Sequence, residues 1–284
     1  MKGIESVMKK VVRTLGSILM LSVLMLQVCF AANVSDTYND INLQSLATID
    51  AKTLPDSQLK RMEEQIQNLS NEEYDALLAY LVNTTSDSNK LRESLRLVGV
   101  DLSEIHRVYY TPTSEESPAI MPMTEAYQSF MSVYDSSRTG HTNKRISVSY
   151  KLNTKESHPG SYDAIVLYYD STKATYKSYS TEKNYTSLKN GTKAAKGTLV
   201  FNFYDKIAGN NLSHATVEVA RTSKSPLHYS AVWNHSYTKT NVNVTLNPSV
   251  SFGGTGGVSG SIGATIAFGS KENVWQLSDV GYYS

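Results

Sequence analysis

Cysteine is nearly absent from this chain of 284 residues, since Cys29 is the only one. It lies inside a predicted N-terminal targeting sequence, residues 1–32, in which basic residues such as Lys10 and Arg13 precede an apolar run from Leu15 to Phe30. The rest of the chain can therefore form neither a disulfide nor a thiolate metal site. An exported protein without cystine is typical of bacteria, and we expect a secreted, extracellular bacterial protein.

Recognisable catalytic and cofactor motifs are also missing. No histidine pair has the HExxH spacing of a zinc hydrolase, no G-x-S-x-G sequence marks an activated serine, and the glycine-rich stretch 253–257 lacks the Gly-Lys-Ser/Thr of a P-loop. His228 and His235 are seven residues apart, so on one strand they would point to opposite faces. The sequence predicts a protein that is not an enzyme, with no metal and no cofactor. A carboxylate pair for glycoside hydrolysis stays open, because its separation is three-dimensional.

A large net charge is lacking too, since 27 basic residues face 26 acidic ones. Without a basic excess or a recognition motif, nucleic acid is not an expected partner. The charge is nevertheless uneven. Residues 33–110 contain 13 acidic and 7 basic residues, whereas residues 111–284 contain 12 acidic and 16 basic residues. The acidic N-terminal part can therefore dock on the basic C-terminal part.

Residues 33–110 have the apolar spacing of short amphipathic helices. Apolar residues recur three and four positions apart within Pro55–Leu69, and Ser70 with Glu73 forms a capping box ahead of a second helix. A third helix is predicted to end at Gly99. The simplest interpretation is a small helical bundle, and a partner-binding or pro-segment role stays open.

The rest of the chain is predicted to be mainly β. Residues 111–123 contain three prolines among serine and glutamate, which is typical of a linker. Residues 124–284 contain short alternating stretches separated by turn signals, a pattern that predicts a tyrosine-rich antiparallel β-sandwich preceded by a small α-helical N-terminal segment. The predicted strands are residues 145–153, 161–170, 197–205, 214–221 and 227–239. Residues 125–134 also fit a helix, and residues 135–144 are predicted to be a polar loop.

Charge is absent from one long stretch, between Lys239 and Lys271. Within residues 240–270 apolar and small polar side chains alternate on both sides of the glycine-rich stretch 253–257, as in an antiparallel hairpin with one apolar face. Each arm has the length that a transmembrane strand needs. The large apolar residues are the candidates for membrane insertion, and they are Val242, Val244, Leu246, Val250, Phe252, Val258, Ile262, Ile266 and Phe268.

The second arm of this hairpin, residues 260–269, resembles the stem of β-barrel pore-forming toxins of the leukocidin/haemolysin type. The resemblance is limited to residues 240–270, and it implies a protein that is soluble until it oligomerises and inserts the hairpin into a membrane. The competing interpretation is the last hairpin of a soluble sandwich. That sandwich would be a binding module for a wall polymer, a glycan or a protein, and the hairpin would stay packed.

A second candidate site is the segment 173–196, in which lysines alternate with tyrosines and Glu182 is the only acid. Ammonium groups attract phosphate and anionic lipid heads, and tyrosine rings offer flat surfaces for stacking. The candidate binding residues of this lysine–tyrosine segment are Lys173, Lys177, Lys183, Lys189, Lys193, Lys196, Tyr176, Tyr179 and Tyr185. The alternative is an ordinary solvated loop and edge strand, whose lysines prevent the edge from pairing with a strand of another molecule. Membrane lipid, an anionic cell-surface polymer and a second copy of the chain are the candidate partners.

Overall fold

The structure is a computed structural model that describes residues 42–109, 129–152, 159–190 and 192–236. It also describes the backbone of residues 237–238, 245–246, 249–251, 259–261, 266–267 and 272–283. The predicted targeting sequence 1–32 and the predicted linker 111–123 lie outside the described residues. All the described helices and strands belong to one compact unit, Leu43–Ser284.

Three α-helices follow one another near the start of the described chain: α1 (Asp56–Asn68), α2 (Asn71–Thr84) and α3 (Ser88–Leu97). The predicted capping box is present at α2, because the backbone N–H of Glu73 donates to Ser70 Oγ (3.2 Å) and the N–H of Ser70 donates to the Glu73 carboxylate (2.8 Å). The predicted short N-terminal helices are therefore confirmed. A further short helix, α4 (Asp205–Ala208), lies among the strands.

The strands of the described chain all pair antiparallel. They are β1 (Val100–Leu102), β2 (His106–Tyr109), β3 (Phe130–Arg138), β4 (Lys144–Lys151), β5 (Asp163–Tyr169), β6 (Ala174–Thr181), β7 (Thr186–Leu188), β8 (Thr198–Phe203), β9 (Ser213–Arg221), β10 (Leu227–Thr238), β11 (Thr245–Leu246), β12 (Ser249–Ser251), β13 (Ser259–Ser261), β14 (Ile266–Ala267) and β15 (Glu272–Tyr283).

Two sheets pack face to face and confirm the predicted β-sandwich. The first has the order β1-β3-β4-β9-β6, with β2 also paired to β3, and the second has the order β15-β10-β5-β8-β7. Apolar side chains of both sheets form one buried core between them. Its aromatic centre is Tyr150, Phe203 and Trp233, with ring centroids 4.8 to 6.2 Å apart. Offset and edge-on aromatic contacts of this kind stabilise a core beyond the area they bury.

The helices form a third layer on the outer face of the first sheet. Helix α2 lies across β4, β6 and β9, and the sheet face beneath it is polar. Arg145 donates from Nε and Nη2 to the two oxygens of Asp75 (2.7 and 2.5 Å), and from Nη1 to Glu218 (3.1 Å). Ser180 also donates to Asp75. Arg145 and Asp75 are both buried. Their bidentate ion pair therefore links helix α2 to the first sheet within the interface between them.

The prediction of a polar loop at residues 135–144 is wrong in its first part. Strand β3 runs to Arg138, and all of its residues after Phe130 are buried. The polar residues of β3 face other elements of the protein, as Arg138 does when it donates to the carbonyls of Ile66 and Leu69. A strand whose polar side chains contact another layer of the protein has the same residue pattern as a solvent-exposed loop, so the sequence does not distinguish the two.

Candidate functional site

Strands β10 and β15 form a long hairpin that continues outward beyond the second sheet. They pair from Leu227 with Tyr283 to Thr238 with Glu272, and the pairing of β12 with β13 keeps the same register. The pairing of β11 with β14 is shifted by two residues. Strand β5 pairs with β10 only as far as Asn234. Among the described residues, the last part of β10 therefore has β15 as its only partner strand.

Within the predicted hairpin 240–270, the structure describes two short strand pairs, β11 with β14 and β12 with β13. Of the candidates for membrane insertion, the structure describes Leu246, Val250 and Ile266 as backbone in β11, β12 and β14. The other candidates, Val242, Val244, Phe252, Val258, Ile262 and Phe268, lie outside the described residues. In the part of the chain that the structure describes, no helix combines the length and the apolar character of a membrane span.

The lysine–tyrosine segment runs along the side of the sandwich where both sheets end. Strand β6 is the edge of the first sheet and β7 is the edge of the second. The chain crosses from one to the other through residues 182–185, and the turn Ala194–Lys196 then lies against β6. This turn is tied to the sandwich by Tyr169, whose hydroxyl donates to the Ala194 carbonyl (2.7 Å). One side of the molecule therefore contains the whole segment.

The tyrosines of the segment are fixed on this side by the core. Tyr176 and Tyr185 pack partly buried against the core, while Tyr179 is 42% exposed with its ring centroid 6.1 Å from that of Phe201. Burial raises the pKa of Tyr176, and the neighbouring Tyr179 adds to this. Tyr179 is therefore the ring of the segment that a flat partner can contact, whereas Tyr176 and Tyr185 pack against the core.

The lysines of the segment differ in their surroundings. Lys177, Lys193 and Lys196 are exposed, and Lys177 lies at a bulge in the edge strand β6. Lys189 donates to the Tyr162 hydroxyl (3.4 Å) and lies 5.3 Å from the centre of that ring. Glu182, the acid of the segment, accepts from the backbone of Asn184 and Tyr185.

The remaining two lysines contact carboxylates across the surface. Lys183 Nζ lies 3.9 Å from Glu72, and Lys173 Nζ lies 3.8 Å from Asp170. The Lys183 pair is exposed, so it contributes little to stability. The segment carries six lysines and one acid of its own, Glu182.

A buried polar cluster, which the sequence did not predict, lies where β10 leaves β5. Asp163 Oδ2 accepts from Trp233 Nε1 (2.7 Å) and lies 2.8 Å from His235 Nδ1, while Oδ1 accepts from the Ser236 N–H (2.8 Å). Burial raises the pKa of Asp163, and the adjacent His235 opposes this. At the base of the long hairpin, the Asp163 carboxylate therefore accepts from the Ser236 N–H, while the Gly160 N–H donates to the Ser236 carbonyl (3.1 Å).

The same cluster contains the donor atoms of a potential metal site. Asp163, Asp205 and His235 each place one ligand atom within 4.8 Å of the others, and all three side chains are buried. A tetrahedral divalent ion spaces its ligand atoms about 3.3 Å apart. The 2.8 Å between Asp163 and His235 is instead a hydrogen-bond distance. The described geometry is therefore that of a hydrogen-bonded cluster.

Comparisons with known proteins find similarity at a low level only. No family model matches the chain, and no curated protein matches it. Among solved structures, the sixth cohesin of scaffoldin B from Acetivibrio cellulolyticus, in complex with a dockerin, is 17% identical with a TM-score of 0.23. The match covers 32% of this chain and 76% of the cohesin.

Two further solved structures are similar at the same level. A type I cohesin in a cohesin–dockerin complex from Clostridium thermocellum is 20% identical with a TM-score of 0.22, over 31% of this chain and 67% of that chain. A structure concerned with adhesion by the Fap1 fimbriae of Streptococcus parasanguinis is 13% identical with a TM-score of 0.25, over 50% of this chain and 78% of that chain.

The resemblance of residues 240–270 to a leukocidin/haemolysin stem was wrong as a family assignment. No toxin family model matches, and these three similar structures are cohesins and a fimbrial protein rather than pore-forming toxins. The fold explains the false similarity. Strands β10 and β15, which flank the uncharged stretch in the chain, belong to the second sheet of the sandwich, and the described strands within the stretch, β11 to β14, pair antiparallel with one another. Alternation of this kind is common to every long antiparallel hairpin with one apolar face.

Proposed function

We propose that the protein is an extracellular, non-enzymatic binding module that attaches to an anionic cell-surface polymer through its lysine–tyrosine segment. The observation that supports this proposal is the position of the segment. Its lysines and tyrosines follow the two adjoining sheet edges, β6 and β7, and the turn Ala194–Lys196 beside them. The predicted targeting sequence 1–32 supports an extracellular location.

The chemistry of the segment suits a polymer with repeated negative charges. Exposed ammonium groups such as Lys177 and Lys196 are strongly hydrated point charges that bind phosphate and sulfate without strict geometry. The partly exposed ring of Tyr179 adds a flat apolar contact next to them. A chain-like partner can contact several of these groups at once, and the combined affinity then exceeds that of any single contact.

Binding to immobilised polymers tests the proposal directly. Full-length protein without the targeting sequence is titrated against long-chain polyphosphate, heparin and neutral dextran. We expect binding to one or both anionic polymers and none to dextran. The affinity should fall steeply with salt, because the screening length shrinks from about 10 Å at 0.1 M to about 3 Å at 1 M.

Two triple variants with the same change in net charge distinguish binding through the lysine–tyrosine segment from attraction by the net charge of the whole protein. Lys177→Gln, Lys193→Gln and Lys196→Gln together should weaken polymer binding at least about tenfold, since each lysine near an anionic surface contributes about 1 kcal/mol. The control variant combines Lys52→Gln, Lys60→Gln and Lys90→Gln in the helical part of the chain. Equal losses in both variants would contradict the proposal, as would binding to anionic lipid vesicles without binding to either polymer.

A further inference from the structure

The turn between β9 and β10 forms an open cleft at one end of the lysine–tyrosine segment. Four consecutive residues line it, Arg221, Thr222, Ser223 and Lys224, and it is shallow and largely open to solvent. It can therefore hold a small group at the surface but does not enclose a ligand. Strand β6 of the segment begins beside this cleft, because its first residue, Ala174, pairs with Arg221 of β9.

Hydrogen bonds within the turn and to its neighbour hold the cleft in shape. The Thr222 N–H donates to the Lys173 carbonyl (2.8 Å), and Lys173 Nζ donates to the Pro226 carbonyl (3.3 Å). Arg221 Nη2 donates to the Ser225 carbonyl (2.5 Å), and the Ser225 N–H donates to Ser223 Oγ (3.1 Å). A turn that is already ordered loses little entropy when a ligand binds.

The chemistry of the cleft is that of an oxyanion site. Its four lining residues supply one guanidinium, one ammonium and two hydroxyl groups, and they include no carboxylate. A nearby acid, Asp170, accepts from the N–H and hydroxyl of Thr172 (3.0 and 2.6 Å), with Lys173 Nζ 3.8 Å away. The local charge is therefore positive, and charge-assisted hydrogen bonds from such groups to a tetrahedral oxyanion are stronger than neutral ones.

We propose that the cleft lined by residues 221–224 binds one phosphate or sulfate group of the anionic polymer. This inference deepens the proposed function and rests on it for the identity of the polymer. The cleft recognises the individual oxyanion, whereas the lysine–tyrosine segment attracts the chain that carries it. The hydroxyl groups of the cleft donate hydrogen bonds in particular directions, so they require a defined position of the oxyanion. The separate lysines of the lysine–tyrosine segment impose no such requirement.

Inorganic phosphate and sulfate test the cleft without any polymer. Backbone amide NMR shifts of full-length protein are followed during titration with each ion. We expect the largest changes at residues 222–225. Lys224→Gln should weaken binding about tenfold by removing the ammonium, and Thr222→Val should weaken it roughly tenfold without a change in charge.

Two matched controls distinguish a site from diffuse attraction. Lys60→Gln removes an exposed charge far along the chain and should leave ion binding unchanged, and Thr84→Val removes an exposed hydroxyl at the end of α2. If Thr222→Val binds phosphate and sulfate like the unmodified protein, the cleft proposal is wrong. A loss shared equally by Lys224→Gln and Lys60→Gln also contradicts it.

Polymer titrations of the same variants separate the two proposals. If the polymer binds and Thr222→Val weakens it, the cleft proposal is supported. If the polymer binds Thr222→Val and the unmodified protein equally, the cleft proposal fails while the proposed function stands. If the polymer does not bind but phosphate binding depends on Thr222, the proposed function fails and the oxyanion site stands. A preference for polyphosphate or heparin then identifies the source of the oxyanion.

Discussion

Asp135 is a carboxylic acid that lies almost entirely out of water, with 1% of its surface exposed. The Tyr229 hydroxyl donates to its Oδ2 (3.0 Å), and Ser103 Oγ accepts from its backbone N–H (2.9 Å). Burial disfavours the charged form and raises the pKa of Asp135 to about 7, although the hydrogen bond from Tyr229 opposes this. Asp135 therefore changes its charge close to neutral pH.

We expect Asp135→Asn to stabilise the protein at pH 8 and to change little at pH 4. Because the folded pKa lies above the unfolded value, the neutral acid favours folding below about pH 4, and this contribution disappears as the pH rises through about 7. The difference between the ordinary pKa of 3.8 and a pKa of about 7 corresponds to at most about 4 kcal/mol. The free energy of unfolding of both proteins, measured in urea from pH 4 to 8, tests this expectation.

Asp56→Asn is the matched control for this measurement, because Asp56 is exposed at the start of α1 and is not among the charged groups that act on Asp135. It should leave the pH profile of the unmodified protein nearly unchanged. If Asp135→Asn keeps the same pH dependence as the unmodified protein, Asp135 does not titrate as described.

The lysine–tyrosine segment can be predicted as a candidate because its residues follow one another along the chain, and the fold keeps its described residues on one side of the sandwich. It could not identify the cluster around Asp163. Trp233 and His235 lie 70 and 72 residues beyond Asp163, and no spacing rule links them. The basic turn at residues 221–224 was missed for another reason. Its four residues have the composition of an ordinary polar turn. Only the fold places the turn that ends at Lys173 beside them.

Helix α2 is attached to the first sheet by charges rather than by apolar contacts alone. Asp75 of α2 and Arg145 of β4 are 1% and 5% exposed, and two hydrogen bonds join them. Without Asp75, Arg145 keeps Glu218 as a carboxylate partner (3.1 Å) but loses both hydrogen bonds to the buried Asp75. The attachment of the helical layer to the sheet should therefore depend strongly on Asp75.

We expect Asp75→Asn to lower the free energy of unfolding by about 1.5 to 3 kcal/mol, as is typical for lost hydrogen bonds between charged groups, because Glu218 still compensates part of the Arg145 charge. Glu93→Gln is the control, because Glu93 forms an exposed ion pair with Lys52 (2.5 Å) that should matter little. Urea unfolding followed by circular dichroism measures both. Equal stabilities of the two variants would mean that Asp75 contributes no more than a surface charge.

The helices could be predicted from the sequence because their signals are local: a capping box, apolar residues three and four apart, and a terminal glycine. Strands β1, β2 and β6 could not. Strand β6 alternates small polar residues with Lys177 and tyrosines at an open edge, and β1 has only three residues. Pairing with a neighbouring strand stabilises strands of this kind more than their own residue preferences do. The neighbour of β1 and β2 is β3, and the sequence does not reveal that pairing.

The N-terminal part of the chain contributes to the sandwich itself. Residues 42–109 supply the helical layer and also β1 and β2, both of which pair with β3 of the first sheet. Arg138 at the end of β3 donates to the carbonyls of Ile66 and Leu69 and to Asn71, and its guanidinium lies 4.6 Å from the centre of the Tyr74 ring. A removable pro-segment would leave this arginine and the polar sheet face without partners.

We therefore expect the two parts to stay together after the chain is cut between them. A specific protease site is inserted into residues 111–123 and cleaved in the folded protein. The fragments should elute as one particle on gel filtration and separate only in denaturant, because paired strands and the buried Asp75–Arg145 contact join them. Insertion of the site without cleavage is the control. Separation of the fragments in native buffer would show that the helical part is a detachable segment, and the surface it uncovers would become the better candidate for binding.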